Sequence, residues 1–242
     1  MRQQALEQLS RFAPYAGKTY EKKRNFDFGP QQTAAVSQLS PFLRYRIITE
    51  PEVIATVAQQ HSYESCEKFV QEVCWRTYWK GWLEQRPYVW DDYLDQVNRP
   101  LDDDTSRCLH QVKEGKTGIG AFDQWTKELL RTGYLHNHVR MWYASIWIFT
   151  LKLPWYRGAD FFLHHLLDGD PASNTLSWRW VAGLHTKGKH YLATAENIQK
   201  FTDGRFYPTG LVAEAEPLVE ERATTEKLPL QVLPDMPTAD FD

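Results

Sequence analysis

An acidic and a basic residue, Glu72 and Arg76, stand one helical turn apart in a segment rich in aromatic residues. Trp75 and Trp79 form a second pair at the same spacing, so a helix would place charges and large rings side by side. A guanidinium can grip a phosphate with two parallel hydrogen bonds. The segment therefore fits a site for a flat ligand with a phosphate tail. Taken alone, the pattern is more typical of a surface ion pair beside core aromatic residues.

A second polar cluster follows a glycine-containing turn at residue 133. Asn137, Arg140 and Met141 are spaced to share one face of a helix. His136 and His138 are separated by a single residue and would point in different directions on a helix, which disfavours a shared metal ion. The cluster is a candidate binding surface, and no metal site is predicted.

Two carboxylates, Asp168 and Asp170, stand on either side of a glycine and directly precede Pro171. Proline suits the first position of a helix and aspartate suits its cap, so capping alone could explain the pair. Carboxylates also accept hydrogen bonds from ribose hydroxyls or ring N–H groups. In the helix that follows, Trp178 and Trp180 would point to different faces, one toward a cofactor and one toward a cavity.

A shorter polar segment, Ser37-Gln-Leu-Ser40, precedes a proline and is expected to open a helix. The free N–H groups at such a helix start could hold a phosphate. The segment lacks the glycine spacing of a nucleotide-binding loop, so its signal is weak on its own.

Composition limits the classes of protein to which the chain can belong. It has 242 residues, of which 42% are hydrophobic and 24% charged, as in soluble globular proteins. No apolar run reaches the about 18 residues that a membrane span needs, and the N-terminus has no apolar signal region. Three cysteines without CxxC spacing exclude a disulfide framework and a four-cysteine metal site. A cytoplasmic location is expected.

Charge and aromatic residues are unevenly distributed. The net charge is −3, but residues 211–242 carry −6 and residues 1–210 carry +3. A mildly basic body permits a polyanionic partner without requiring one. All ten tryptophans lie between Trp75 and Trp180. Two explanations remain open, a ring-lined binding cavity and a bulky helical core.

The pattern along the chain predicts an all-α protein with three parts. Residues 1–30 are expected to form an irregular N-terminal arm, residues 31–207 a helical domain, and residues 208–242 an acidic, proline-containing, disordered tail. Helices are predicted at about 50–60, 64–86, 120–132, 137–152, 159–167 and 172–182. These helices must bring the polar clusters together.

Taken in order, the clusters resemble the C-terminal FAD-binding domain of the photolyase/cryptochrome family. Four motifs carry the resemblance: Ser37-Gln-Leu-Ser-Pro-Phe-Leu43, Glu72-x-x-Trp75-Arg76, Gly118-Ile-Gly120 with Gly133-Tyr-Leu-His-Asn137-x-x-Arg140-Met141, and Asp168-Gly-Asp170-x-x-x-Asn174-x-x-x-Trp178-x-Trp180. The resemblance covers about residues 20–205. The family's N-terminal α/β domain, which carries an antenna chromophore, has no counterpart in this sequence, so no antenna chromophore is expected within this chain.

The resemblance implies an FAD bound in a folded-over shape within a helical bundle. The implied cofactor-binding residues are Tyr20, Ser37, Gln38, Leu39, Ser40, Phe69, Glu72, Arg76, Asn137, Arg140, Asp168, Asp170 and Asn174. Arg76 would contact the diphosphate, together with Tyr20 and the serine segment. Asn174 would face N5 of the flavin, where an amide can form a hydrogen bond without supplying a strong acid.

The implied activity is light-driven repair of cyclobutane pyrimidine dimers in UV-damaged DNA, by electron transfer from reduced FAD to a flipped-out lesion. The residues implied at the lesion are Trp75, Asn137, Met141 and Trp180, and those implied in catalysis are Glu72, Asn174, Trp155 and Trp178. The last two tryptophans would relay electrons to the flavin. For the outermost member of that relay, Trp142 or a tyrosine is a candidate. Repairers of the (6-4) lesion typically carry histidines at positions 137 and 141, which favours the cyclobutane type.

Several alternatives stay open at this point. Single-stranded DNA could be the preferred substrate form. Candidate contacts to DNA phosphates at the cavity mouth are Arg44, Arg46, Arg179, Lys187 and Lys189. The chief rival is an FAD-based blue-light photoreceptor of cryptochrome type that signals through a partner. A third possibility is a flavin-free helical scaffold, in which the charged clusters serve packing only.

Overall fold

The computed structural model describes residues 1–30, 36–186 and 188–219. Every regular element in these residues is helical, which confirms the predicted all-α class. The helices are α1 (Arg2–Phe12), α2 (Lys18–Lys23), α3 (Ser40–Arg44), α4 (Glu50–Ala58), α5 (Tyr63–Glu84), α6 (Pro87–Asn98), α7 (Asp103–Lys113), α8 (Gly120–Thr132), α9 (Asn137–Ser145), α10 (Trp155–His165), α11 (Pro171–Ala182) and α12 (Ala195–Phe201). A π-helical turn at Ile146–Thr150 extends α9. In the described part of the chain, no helix combines the length and the apolar character needed to cross a membrane.

Local sequence signals set several helix ends. Asp170 caps α11, where its carboxylate accepts a hydrogen bond from the backbone N–H of Ser173 at 3.0 Å. Helix α8 ends at Gly133, whose φ of 66° lies in the left-handed region that favours glycine. At that position a side chain would also collide with Leu167. These two ends place the turns that lead into α9 and α11.

Helix α11 lies at the centre of the fold and packs against α5, α9 and α10. Close contact with α10 depends on Gly158, because a Cβ there would lie 2.2 Å from the ring of Trp178. Most large buried rings, including Trp125, Trp142 and Trp147, belong to one core cluster around α8 to α11. A second cluster joins α1 and α2 to α4 and α5. The main cavity opens between these two clusters.

The ends of the chain differ from expectation. The irregular arm predicted for residues 1–30 is wrong, because α1 and α2 form there and bury Leu9 and Phe12 in the second cluster. At the other end, Leu211 and Val212 pack against the larger cluster, and the N–H of Leu218 donates to the carbonyl oxygen of Ala182 at 2.8 Å. The packed core thus extends beyond residue 207, and residues 220–242, where most of the predicted tail lies, are outside the described residues.

Predicted and observed helices agree best where capping and periodicity coincide, as in α4, α5, α8 and α11. Helix α10 begins at Trp155, four residues earlier than predicted. Helices α6 and α7 had no counterpart among the predicted helices.

Candidate functional site

The main cavity has a volume of about 700 Å³ and is bordered by α3, α5, α9 and α11 and by the turn before α11. Eleven predicted cofactor residues line it: Tyr20, Ser37, Ser40, Phe69, Glu72, Arg76, Asn137, Arg140, Asp168, Asp170 and Asn174. Trp178 and the four predicted lesion contacts, Trp75, Asn137, Met141 and Trp180, line it as well. Segments far apart in the sequence therefore meet around one space.

Three predicted site residues lie elsewhere. Leu39 is buried in the smaller core cluster. Gln38 lines a second cavity on the other side of α3, formed around Phe28, Tyr134 and His136. Trp155 is also buried, and its ring centre lies 6.0 Å from that of Tyr93. None of the three borders the main cavity.

Three cations surround the buried carboxylate of Asp170 at the start of α11. Its Oδ2 lies 3.6 Å from Nε of Arg44, 3.8 Å from Nη1 of Arg76 and 3.7 Å from Nζ of Lys80. Asp170 is only 3% exposed. One carboxylate cannot balance three cations, and the adjoining helix start adds positive potential. This corner of the cavity is therefore suited to an anion.

Arg76 provides a donor for such an anion. Its Nη1 is buried and has no hydrogen-bond partner among the described residues, although Nη2 donates to the carbonyl oxygen of Ser40. Burial lowers the pKa of the guanidinium, an effect that Asp170 and Asp168 oppose. An unpartnered buried donor costs about 1–3 kcal/mol. A phosphate oxygen in the cavity would remove that cost.

Asp168 provides an acceptor on the same side. Its Oδ2 accepts a hydrogen bond from Nη2 of Arg140 at 3.0 Å, whereas its buried Oδ1 has no partner in the described part of the chain. Burial alone would raise the pKa of Asp168, but Arg140, the nearby hydroxyl of Ser40 and the charge of Arg76 together lower it. The carboxylate is thus ionised at neutral pH, and its free oxygen can accept a hydroxyl or N–H hydrogen.

The side-chain amide of Asn174 has a fixed orientation. Its Nδ2 donates to the carbonyl oxygen of Ala159 at 2.7 Å, so the amide nitrogen faces α10 and the amide oxygen faces away from it. The oxygen is then the atom left for a ligand in the cavity that Asn174 lines.

Glu72 does not pair with Arg76, although the spacing would allow it. Glu72 forms an ion pair with Arg24 at the end of α2, and Arg76 turns toward Asp170 instead. No sequence pattern identified Arg24 as the partner of Glu72, because the two residues are 48 positions apart in the chain. Beside this pair, the ring of Tyr20 meets Phe69 edge-on with ring centres 5.2 Å apart. Burial, and secondarily the charge of Glu72, raises the pKa of Tyr20.

The mouth of the cavity is lined by aromatic rings. Trp75 is 45% exposed, and its ring lies 5.7 Å from Trp79 and 5.2 Å from Tyr78, centre to centre. Trp79 in turn meets the ring of His185 at 5.0 Å. Sequence reasoning paired Trp79 with Trp75 by helical spacing but gave it no role at the site. It missed Tyr78 and His185 as lining residues, although the spacing of Tyr78 from Trp75 could have indicated the former. Exposed rings at a cavity mouth can hold flat groups by stacking.

A row of rings leads from the region of Trp155 toward the surface. The ring centres of Trp155 and Tyr93 are 6.0 Å apart, and those of Tyr93 and Trp90 are 4.9 Å apart. Trp90 is partly buried. Trp142, a candidate for the outermost relay residue, lies instead in a fully buried stack between His138 and Trp125.

Several of the cationic side chains expected to contact DNA phosphates are buried or already paired. Arg179 is 2% exposed, and its guanidinium lies 5.7 Å from the ring centre of Trp155, so the expected phosphate contact is wrong. Arg46 pairs with Glu50, and Arg44 donates to the carbonyl oxygen of Gly169. Lys189 lies in an exposed turn, whereas Lys187 lies outside the described residues. Within the described ranges, no three His, Cys, Asp or Glu side chains group closely enough to hold a metal ion.

Known proteins resemble both the sequence and the fold. Residues 69–211 match the family model described as the FAD binding domain of DNA photolyase. A deoxyribodipyrimidine photo-lyase of Streptomyces griseus is 35% identical over 153 residues, which cover 63% of this chain and 33% of that protein. Another, from Agrobacterium fabrum, is 30% identical over 224 residues, or 88% of this chain and 45% of that protein.

Solved structures of known proteins share the fold of this chain. A bacterial class III photolyase from Agrobacterium tumefaciens superposes with a TM-score of 0.70 at 29% identity, over 84% of this chain and 42% of that one. A Synechocystis cryptochrome gives a TM-score of 0.72 at 22% identity, over 84% and 43%. The chain spans less than half the length of each of these relatives.

Proposed function

Because the chain belongs to the photolyase/cryptochrome family, through its FAD-binding domain, we propose that it repairs cyclobutane pyrimidine dimers in DNA by light-driven electron transfer from reduced FAD. One observation carries the proposal: the buried polar groups suited to a nucleotide cofactor and the exposed rings suited to a flipped base border the same cavity. When bound, FAD supplies the light-absorbing group and the transferred electron.

The residues of the main cavity fit this cofactor. Its volume of about 700 Å³ lies in the range of cofactor pockets. The unpartnered Nη1 of Arg76, with Arg44 and Lys80 beside it, would hold the diphosphate. The free Oδ1 of Asp168 would accept a ribose hydroxyl or a ring N–H.

Asn174 would set the protonation of the flavin edge. With its Nδ2 engaged by Ala159, the amide presents its oxygen, which can accept a hydrogen bond from an N–H but cannot donate a proton. This arrangement favours a flavin that carries hydrogen at N5, the form from which repair starts.

The mouth would receive the lesion. Trp75 and Trp180 offer ring faces, with Trp180 36% exposed, and Met141 offers a compact apolar contact. Flipping a nucleotide out of the stack costs a few kcal/mol, and less where damage has already weakened stacking. Asn137 and Glu72, which also border the cavity, would provide polar contacts to the bases. Because neither position 137 nor position 141 is a histidine, we infer the cyclobutane lesion.

Single-stranded DNA is the proposed substrate form. Exposed rings at Trp75 and Tyr78 suit stacking on unpaired bases. Arg179 is buried and Arg46 is paired, so fewer cations remain for a duplex backbone. The same shortage of free cations favours the rival role, in which the flavin serves blue-light signalling through a partner.

The test uses purified protein loaded with FAD and chemically reduced. It is mixed with UV-irradiated oligo(dT), alone or annealed to oligo(dA), and illuminated with blue light while the recovery of thymine absorbance near 260 nm is followed against a dark control. We expect light-dependent recovery, faster for the single strand. Bound and photoreducible flavin without recovery would favour the photoreceptor, and protein that stays colourless after FAD addition would favour the flavin-free scaffold.

A further inference from the structure

A row of aromatic rings runs along one face of α5, from the mouth of the main cavity toward the end of the helix. Its members are Trp75, Tyr78, Trp79 and Trp82 of α5 and His185, which follows α11. Trp79 lies 5.7 Å from Trp75 and 5.0 Å from His185, measured between ring centres. His185 lies in turn 4.8 Å from Trp82. The five rings form one connected surface, which we call the aromatic ridge.

The aromatic ridge extends beyond the main cavity. Trp75 and Trp79 line the cavity, whereas Trp82 does not. Seven residues separate Trp75 from Trp82, so α5 rises about 10 Å between them. Stacked bases follow one another at about 3.4 Å along a strand, and this length therefore accommodates about three of them.

Solvent reaches the rings of the ridge. Trp75 and Tyr78 are about half exposed, and Trp79 and Trp82 are partly exposed. Single exposed rings are common on protein surfaces, but rings in mutual contact along one helix face indicate a binding surface. Because this surface continues into the cavity, a ligand that enters the cavity can also lie along the ridge.

His185 supports the two tryptophans at the middle and the end of the ridge. Its ring meets that of Trp79 at an interplanar angle of 72° and that of Trp82 at 55°, so it contacts both from the side. Burial, and secondarily the charges of Arg179 and Arg86, lowers the pKa of His185 and keeps its ring neutral near pH 7. Rings held in place by such contacts lose little conformational freedom when a ligand binds.

A cation lies at the far end of the ridge. The guanidinium of Arg86 lies 4.4 Å from the ring centre of Trp82, and its Nη1 donates to the carbonyl oxygen of Trp82 at 3.4 Å. A guanidinium has five N–H donors, which suit phosphate oxygens. The start of α6 at Pro87 adds positive potential. Glu84, the only acidic residue in the C-terminal half of α5, is two positions from Trp82 and thus lies on the opposite face.

We propose that the aromatic ridge binds the undamaged, unpaired nucleotides that flank the lesion on one side in a single DNA strand. Their bases would stack on Tyr78 and Trp82, and Arg86 would contact a phosphate. Every base has a ring face, so this binding would not depend on base sequence, and a duplex would offer few unstacked bases. The proposal rests on the proposed function for the position of the lesion. The ridge would also bind undamaged strands, so the two can be tested separately.

The experiment follows the fluorescence anisotropy of fluorescein-labelled, undamaged oligo(dT), alone or annealed to oligo(dA), as FAD-loaded protein is added. We expect saturable binding of the single strand and at least fivefold weaker binding of the duplex. No saturable binding at about 0.1 mM protein, the weak end of nonspecific DNA affinities, would overturn the proposal. Equal affinity for the two forms would overturn it as well.

Two variants test the rings. Trp82→Leu removes a ring outside the main cavity and keeps an apolar side chain, so we expect at least fivefold weaker single-strand binding with full retention of flavin absorbance after dialysis. Tyr63→Leu is the matched control, because Tyr63 is an exposed ring on the same helix, about 18 Å before Trp75. Unchanged single-strand affinity in Trp82→Leu would reject the ridge.

Arg86→Gln tests the phosphate contact without removing a ring. The slope of log affinity against log salt concentration should become shallower by about 0.7, the value for one phosphate contact on a single strand. Arg131→Gln, at an exposed position in the last turn of α8, is the control and should keep the native slope. An unchanged slope in Arg86→Gln would contradict the phosphate contact.

A parallel repair assay separates the two proposals. Native protein that binds oligo(dT) through Trp82 but shows no light-driven repair would reject the proposed function and support the ridge. Native protein that repairs the lesion, with equal single-strand affinity in Trp82→Leu, would reject the ridge alone.

Discussion

Nη1 of Arg76 lies 3.8 Å from Oδ2 of Asp170, yet no hydrogen bond completes the contact. The guanidinium is thus held near a carboxylate, while one of its donors has no hydrogen-bond partner among the described residues. Such a buried donor is best explained by a ligand that supplies the missing oxygen, just as the unpartnered Oδ1 of Asp168 in the same cavity calls for a ligand hydrogen.

Replacing this guanidinium should weaken cofactor binding. A hydrogen bond to a charged group contributes about 1.5–3 kcal/mol, so Arg76→Ala should weaken FAD binding by about 10- to 100-fold. Flavin absorbance retained after dialysis measures the loss. Arg46→Ala is the control, because Arg46 pairs with Glu50 and does not line the main cavity. Full retention of FAD in Arg76→Ala would contradict the phosphate role.

The exposed mouth should be needed for the lesion and not for the cofactor. Trp75→Ala combined with Met141→Ala removes one stacking face and one apolar contact, and base stacking contributes about 1–3 kcal/mol per base. We expect binding of UV-irradiated oligo(dT) to weaken at least tenfold while the flavin absorbance is unchanged. Equal repair rates in the double variant and the native protein would reject the assigned lesion contacts.

The ring row beyond Trp155 should carry electrons to the cofactor. The next rings along it are Tyr93, whose centre lies 6.0 Å from that of Trp155, and Trp90, whose centre lies 4.9 Å from that of Tyr93. Trp90→Phe and Tyr93→Phe should slow flavin photoreduction under blue light several-fold, as followed by the loss of absorbance near 450 nm. Trp125→Phe serves as the control, since its ring stacks on Trp142 away from this row. Photoreduction that slows equally in the control would speak against the path.

Protonation of Glu128 should make stability depend on pH. Its pKa is raised to about 7 in the folded protein, above the about 4.3 of an unperturbed glutamate. The folded state therefore gains stability from the protonated group at low pH and loses it as the pH rises through about 7. At pH 9 the free energy of unfolding of Glu128→Gln should exceed that of the native protein by about 1–2 kcal/mol. At pH 4 the two proteins should have equal free energies of unfolding, and denaturant titration at both pH values measures the difference. Glu84→Gln, on an exposed part of α5, is the control, and its free energy of unfolding should differ from that of the native protein by the same amount at both pH values.

Two glycine substitutions should have opposite effects. A Cβ at Gly158 would lie 2.2 Å from Trp178, so Gly158→Ala should destabilise the fold by about 1–3 kcal/mol. Gly81 lies within α5 with open space around it, and Gly81→Ala should stabilise by about 0.5–1 kcal/mol. Urea unfolding of both variants checks the pair. If Gly158→Ala had the same free energy of unfolding as the native protein, α10 and α11 would be able to move apart without loss of stability.

The sequence predicted best what short-range signals determine. The cap at Asp170 and the glycine at position 133 placed two helix ends, and the family resemblance carried by the motifs implied more than half of the residues that line the main cavity. Long-range partners could not be predicted this way. The pairing of Glu72 with Arg24 and the row through Tyr93 depend on how helices cross, which no local pattern specifies.

The contact between Leu218 and Ala182 limits how far the protein can be shortened. Composition suggests cutting the chain at residue 207, where acidic and proline-rich sequence begins. Such a cut would remove Leu211 and Val212 from the core. It would also remove Pro217, which packs so closely on Gly183 that a Cβ at position 183 would lie only 2.4 Å from it. It would also leave the carbonyl of Ala182 without its N–H donor, at the end of the helix that carries Trp178 and Trp180. A minimal version of this protein should therefore end no earlier than residue 218.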